Sequence, residues 1–260
     1  MCTVIVLRRP GHDWPLILGG NRDEMIGRPW RPPGRHWPDR PSVVAGLDEQ
    51  AGGSWLGLND DGVVAVILNR EGSLGPAAGK RSRGELVLDA LDHADARDAV
   101  AALADLDPAA YRSFNMVVAD NRDAYWLRHV GERAEKGGRV EVLPIPPGAS
   151  MITAHDRNDV GAPRIRVHLP RLQAAAPPEP DTAGGPGSWA SWEALLASRL
   201  HDAADSQGRS AMCIDTGGPF GTVSSALVAL PTKEKPDWKP SFLFAAGKPG
   251  EAPYRPVGAT

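Results

Sequence analysis

The chain has 260 residues, with 29 Lys and Arg against 32 Asp and Glu, a formal net charge of -3. That balance exerts no long-range pull on nucleic acid or anionic lipid. Two cysteines cannot build a disulfide framework, no run approaches the ~20 apolar residues of a membrane span, and no basic leader precedes the first apolar run. The expectation is a soluble cytoplasmic protein with no nucleic-acid partner, no integral membrane segment, no metal and no cofactor.

The chain opens with MCTVIVLR. Thr3 to Arg8 reads as a strand apolar on both alternating faces, which requires cover on both sides. Gly11-His12-Asp13 is a turn, and Trp14 to Gly20 returns as the second strand of a hairpin, running into Asn21-Arg22-Asp23-Glu24. Residues 28–41, rich in Pro, Arg and Trp, read as an ordered loop. Strands are expected at Val43–Gly46, Ser54–Leu58 and Val63–Leu68, the last two joined by a turn at Asn59-Asp60-Asp61-Gly62. Ser82-Arg83-Gly84-Glu85 fits a capping box, followed by helices over about 83–93 and 96–105. Asp107-Pro108 starts a further short helical turn.

Phe114–Ala119 and Ala124–Val130 form another hairpin. Arg139–Pro144 and Ser150–Thr153 are candidate strands. A helix over 163–175 is interrupted by Pro170, and 176–187 reads as a flexible insertion. Trp189–Ala204 is an amphipathic helix, and strands follow at Ser210–Ile214, Thr222–Leu230 and Ser241–Ala245. Hairpins dominate, so the fold class is α+β with mainly antiparallel sheets. Two stacked sheets with helices outside would cover the first strand.

Cys2 is the first chemical candidate. Initiator Met is normally removed before a small second residue, which would give the thiol a free α-amine on the same residue. The amine titrates at about 7.7–8 and the thiol at about 8.5, so an N-terminal Cys carries its own base. By position alone, a small buried residue at the start of a strand is the plainer reading. Asp23 is placed to orient that amine and Arg22 to favour the thiolate, although a solvated turn explains both. Asn69 ends an apolar strand, where its amide could donate to an oxyanion or form a turn. Asn115, inside an apolar strand, needs partners if buried. His155 and Asp156 follow another apolar run. No metal-type spacing such as HExxH is present. Gly79-Lys80-Arg81-Ser82 is only superficially like a phosphate loop. Cys213 sits in an apolar pattern and reads as structural.

Taken together, MCTV, GGNRDEM, AGGSWLGLN, ILNRE, KRSRGEL, FNMVVAD, GTVSSALV and FLFAAGKPGEAPY resemble the NRDE family, whose members are transport and Golgi organization protein 2-like. The resemblance implies an N-terminal nucleophile hydrolase-like fold, a four-layer αββα sandwich forming a single domain over 1–260. It also implies a cysteine hydrolase acting on non-peptide amides, with Cys2 as nucleophile, its amine as base, Asp23 orienting the amine and Asn69 donating to the oxyanion. Arg22 stands directly beside Asp23 rather than several residues before it, as in the related hydrolases. Val223 follows Gly221-Thr222 where many members have Arg. Ala154-His155-Asp156 stands where many have Ser-Asn. Asn21, Trp55, Asn115 and His155 are the candidate substrate contacts, with Trp30 and Trp37 as further cleft walls. A second reading is a non-enzymatic carrier of haem or an acyl lipid, its 28–41 loop meeting an amphipathic acid. A third is a relic whose Cys2 is only structural.

Overall fold

A computed structural model describes residues 2–131, 139–185 and 187–258. In chain order its elements are β1 (Thr3–Arg8), β2 (Leu16–Met25), β3 (Trp30–Gly34), β4 (Val43–Asp48), β5 (Leu56–Asn59), β6 (Val64–Asn69), α1 (Glu85–Leu91), α2 (Ala96–Ala104), a 3-10 turn at Pro108–Ala110, β7 (Phe114–Ala119), β8 (Ala124–His129), β9 (Val140–Pro144), β10 (Gly148–Ile152), α3 (Pro163–Ala174), α4 (Ala190–Leu196), β11 (Phe220–Leu230), β12 (Ser241–Ala245) and β13 (Tyr254–Pro256). They form two compact units, one made of the residues up to Arg28 with those from Pro147 onward, the other of Pro29–Pro146.

The first unit holds a six-stranded sheet in the order β10-β1-β2-β11-β12-β13, antiparallel throughout. One face carries Ile5, Ile17, Met151, Leu227, Ala229 and Leu243. These pack against Ile165, Leu169 and Leu172 of α3 and Trp192, Leu195 and Leu196 of α4. Gly19 permits the approach of the helices, and Gly20, on the other face, the close pairing with β1. A Cβ on Gly19 would lie 3.1 Å from both Leu227 and Trp192, and one on Gly20 would lie 2.9 Å from the Thr3 carbonyl. The second unit holds a seven-stranded antiparallel sheet, β3 through β9 in sequence order. Its core joins Ala65, Ile67, Met116, Val118 and Leu127 to the apolar faces of α1 and α2. Each unit thus supplies one helix layer on one antiparallel sheet, the αβ pairing that the expected α+β class requires.

Several elements depart from expectation for local reasons. The second strand does not stop at Gly20 but runs through the whole Asn21-Arg22-Asp23-Glu24 tetrad, because β11 pairs with it along its length. Within 28–41, Trp30–Gly34 is a strand on β4, its register broken around the two prolines that cannot donate. Helix α1 begins after Gly84, with no side-chain cap. Ser82 Oγ instead accepts from the Gly84 amide at 3.2 Å, and Glu85 pairs with Arg81 at 2.7 Å.

Helix α3 continues through Pro170, its buried Ile165, Leu169 and Leu172 offsetting the lost backbone bond. Helix α4 ends at Leu196 rather than near 204. Beyond it the side chains of Ser198, Asp202 and Asp205 accept local amides from Leu200, Ala204 and Gln207, a competition that favours turns over helix. Ser210–Ile214 is not a strand. It is a buried loop, followed by a single bridge between Asp215 and Gly221. The 176–187 segment, expected as a flexible insertion, is closed by two bonds between Glu179 and Ser188 and by a turn on Asp181; its Pro186 lies outside the described residues.

Candidate functional site

The β1–β2 register pairs Thr3 with Asn21, and the β2–β11 register pairs Asn21 with Ser225, Arg22 with Ser224 and Asp23 with Thr222. An irregularity between Thr222 and Ser224 leaves Val223 as the extra residue. Without it Thr222 and Ser224 would point the same way; the bulge sends Thr222 to the face of Asp23 and Ser224 to the face of Arg22. Alternation therefore divides the tetrad. Asn21 and Asp23 share the helix-bearing face with Thr3 and Ile5. Arg22 lies on the other, and the register extended by one residue sets Cys2 opposite it.

The helix-bearing face is a closed polar network. Arg164, from the first turn of α3, donates through Nη1 to Asp23 Oδ2 at 2.8 Å and to Thr3 Oγ1 at 2.7 Å, and through Nη2 to the Arg209 carbonyl at 2.7 Å. Thr222 Oγ1 donates to Asp23 Oδ1 at 2.6 Å and accepts from the Ile214 amide at 2.8 Å. Asn21 Nδ2 donates to the carbonyls of Leu196 at 2.9 Å and Met212 at 2.8 Å. Asn21 is therefore a clamp between its strand, the end of α4 and the 210–214 loop. Asp23 and Arg164 are both buried, so each neutralises a charge the other could not otherwise carry out of water.

Cys2 is half-buried, and its Sγ donates to the Asp23 carbonyl at 3.8 Å. Burial pushes the thiol up from its ordinary range, while the nearby Arg22 guanidinium pulls it down. While Met1 is attached, the Cys2 nitrogen is an amide and cannot act as a base. The second cysteine, Cys213, is buried and its thiol is also pushed up by burial. It lines an open pocket of about 570 Å³ formed by residues of the 199–216 stretch, among them Arg199, Gln207, Arg209 and Asp215.

The remaining candidates are placed as follows. His155 is half-buried in the loop after β10, its amide bonded to Thr153 Oγ1 at 3.3 Å. Asn158, at φ 57, folds that loop back onto β10 through bonds to Met151. Asn69, Trp55 and Asn115 belong to the second unit. Alternation along β6 puts Asn69 on the face of Ala65 and Ile67, which packs on α1 and α2. Asn115 is fully buried, and its Oδ1 accepts from Arg70 Nη1 at 2.7 Å and Trp126 Nε1 at 3.1 Å. Trp55 packs edge-on to Trp30, with its ring where a Cβ on Gly46 would sit. Trp37 lies against the core of the same unit, its Nε1 bonded to the Gly52 carbonyl. The arginines of 28–41 are paired within the protein: Arg31 with Glu49, Arg35 with Asp60, and Arg40 with Asp89 and Asp92.

The residue that sequence reading missed is Arg164. It lies 141 positions from Asp23, in an ordinary run of helix residues. Its one sequence signal is a cation in the first turn of a helix, the end where the macrodipole disfavours it.

Comparison with solved structures defines the fold. A Caenorhabditis elegans N-acylethanolamine-hydrolyzing acid amidase ortholog is 13% identical and superposes with a TM-score of 0.54, covering 91% of this chain and 96% of that chain. The fold is thus the α+β fold of the N-terminal nucleophile hydrolases. Penicillin V acylase from Agrobacterium tumefaciens also matches, at 12% identity and a TM-score of 0.47, covering 94% and 83%. A mutant conjugated bile acid hydrolase from Clostridium perfringens matches at 14% and 0.39, covering 58% and 53%. The chain belongs to the Transport and Golgi organisation 2 family, whose profile matches residues 1–154. No curated protein matches it. Among the described residues no helix is long and apolar enough to cross a membrane, and no group of three or more His, Cys, Asp or Glu is arranged to hold a metal ion.

Proposed function

We propose that this chain is a cysteine amidohydrolase of N-terminal nucleophile type, with Cys2 as nucleophile once Met1 has been removed. The observation that carries this reading is the arrangement around β1 and β2. Cys2 lies opposite Arg22 on one face, while the Asp23 carboxylate is fixed on the other by Arg164 and Thr222. Freed of Met1, the Cys2 amine takes the thiol proton and the sulfur attacks an acyl-amide carbonyl. The C–N bond breaks, and the amine leaves with the proton. Water then hydrolyses the thioester, returning the thiol and releasing a carboxylic acid.

The substrate class is an acyl amide with an apolar chain. Met25 and Ile26, directly beyond the tetrad, are exposed large apolar side chains, and Phe220 is paired to Met25 across the strands. That apolar lip beside the tetrad suits an acyl group. The oxyanion role that the family resemblance assigns to Asn69 is not part of this reading. The test is a panel of N-acyl amides offered to protein shown by intact mass to begin at Cys2. Hydrolysis abolished in Cys2→Ala supports the proposal. Hydrolysis that survives that substitution refutes the nucleophile.

A further inference from the structure

We infer that Arg164 is a positioning residue of this site: it holds the Asp23 carboxylate at one fixed place beside the N-terminal strand and couples that place to the 199–216 loop. The inference rests on the reading of Cys2 as nucleophile.

Three observations carry it. First, Arg164 is buried, and its partners include groups from three separate segments: Thr3 on β1, Asp23 on β2 and the Arg209 carbonyl in the loop. Thr3 is the residue next to Cys2, so one guanidinium touches both strands at the point where the nucleophile begins. A planar fork fixes two directions at once, which a point charge does not.

Second, stability alone does not explain the choice. A buried ion pair is often no more stable than apolar side chains of the same volume. Arg164 also lies in the first turn of α3, the disfavoured end for a cation. A residue kept against both costs fits a requirement for geometry.

Third, the loop is tied to the same few side chains. Arg209 is bonded to Arg164, Met212 to Asn21, and Ile214 to Thr222, which is itself bonded to Asp23. This loop lines the pocket of about 570 Å³ that Cys213 borders. A displacement of its wall at Arg209 is therefore transmitted to Asp23 through one side chain.

The test uses full-length protein that begins at Cys2, compared with Arg164→Lys, Arg164→Met and, as an outside control, Arg166→Ala. The readout is the iodoacetamide alkylation rate of Cys2 as a function of pH, located by peptide mass, beside a melting curve for each variant. Wild-type protein is expected to react faster at pH 7 than a short cysteine peptide. Folded Arg164→Met is expected to lose about tenfold or more of that rate, with its pH profile displaced by about one unit. Arg164→Lys keeps the charge without the fork and is expected to fall between. If Arg164→Met does not fold, Arg164→Lys carries the decision. A folded Arg164 variant with the wild-type rate and pH profile overturns the inference alone. A wild-type rate no greater than that of the peptide overturns the nucleophile reading and the positioning role with it.

Discussion

Arg164 and Arg166 stand two residues apart on α3, and each pairs with an aspartate at nearly the same distance. Arg164 meets Asp23 at 2.8 Å, and Arg166 meets Asp202 at 2.7 Å. The first guanidinium is 3% exposed and the second 49%. Alternate directions around one helix thus place the same chemical pair in two different media. Outside, water already solvates the half-exposed guanidinium and the pair adds little. Inside, neither charge is tolerable without the other. Contact distance does not distinguish them; burial does.

The largest effect is expected from breaking the inner pair. Arg164→Met leaves the buried Asp23 carboxylate without its guanidinium partner, and should cost about 3–5 kcal/mol in a urea titration. Asp23→Asn in the same background should recover part of the loss, since a neutral amide no longer needs the cation. A loss below about 1 kcal/mol would place the inner pair in the same class as the outer one.

Acid should act next. His168 is fully buried on α3, with Nε2 donating to the Leu200 carbonyl at 3.0 Å and Nδ1 accepting from Arg171 at 3.1 Å. Burial pushes it down to about 4. The folded state therefore takes up a proton less readily than the unfolded chain, whose histidine titrates at about 6.5. Its contribution is fully present above pH about 6.5 and is lost as pH falls toward 4, by about 3 kcal/mol at most. Melting curves across that window should slope downward on acidification and flatten in His168→Gln. An equal slope in the variant would assign the loss to other groups.

Gly19→Ala should follow, because a methyl 3.1 Å from Leu227 and Trp192 forces two buried side chains to move; about 1–3 kcal/mol is expected. Arg166→Ala completes the comparison with less than about 1 kcal/mol. A larger loss there would mean that the outer pair shapes the 202 turn more than its exposure implies.

Much of the fold was legible because it depends on local pattern. The apolar alternation of Thr3–Leu7 and the Phe114–Ala119 hairpin gave their strands directly, and Ser241–Ala245 needed no correction. The strand nature of Asn21–Glu24 was hidden, because pairing with β11 overrides four polar residues that read locally as a turn. The short α4 was hidden for the opposite reason: local side-chain bonds to the backbone defeated a good amphipathic period. At the site, the cluster of Cys2, Arg22 and Asp23 could be named from the hairpin that returns the chain to residue 2. Their division between two faces follows from the pleat if the strand continues through the tetrad; that Thr222 joins the face of Asp23 could not be read, since a bulge at Val223 fixes it there. Arg164 reaches Asp23 only through the packing of α3 on the sheet, which no spacing in the sequence records. Asn69 was chosen for ending a buried strand, but the alternation of β6 decides its face.

The central claim is that Cys2 is a free N-terminal nucleophile. Its most direct measurement is the intact mass of purified protein after brief exposure to an N-acyl amide substrate and acid quench. The account predicts a chain lacking Met1 that carries one acyl group on Cys2, with no adduct on the Cys2→Ala protein. A chain that retains Met1, or an equal adduct in Cys2→Ala, would contradict it.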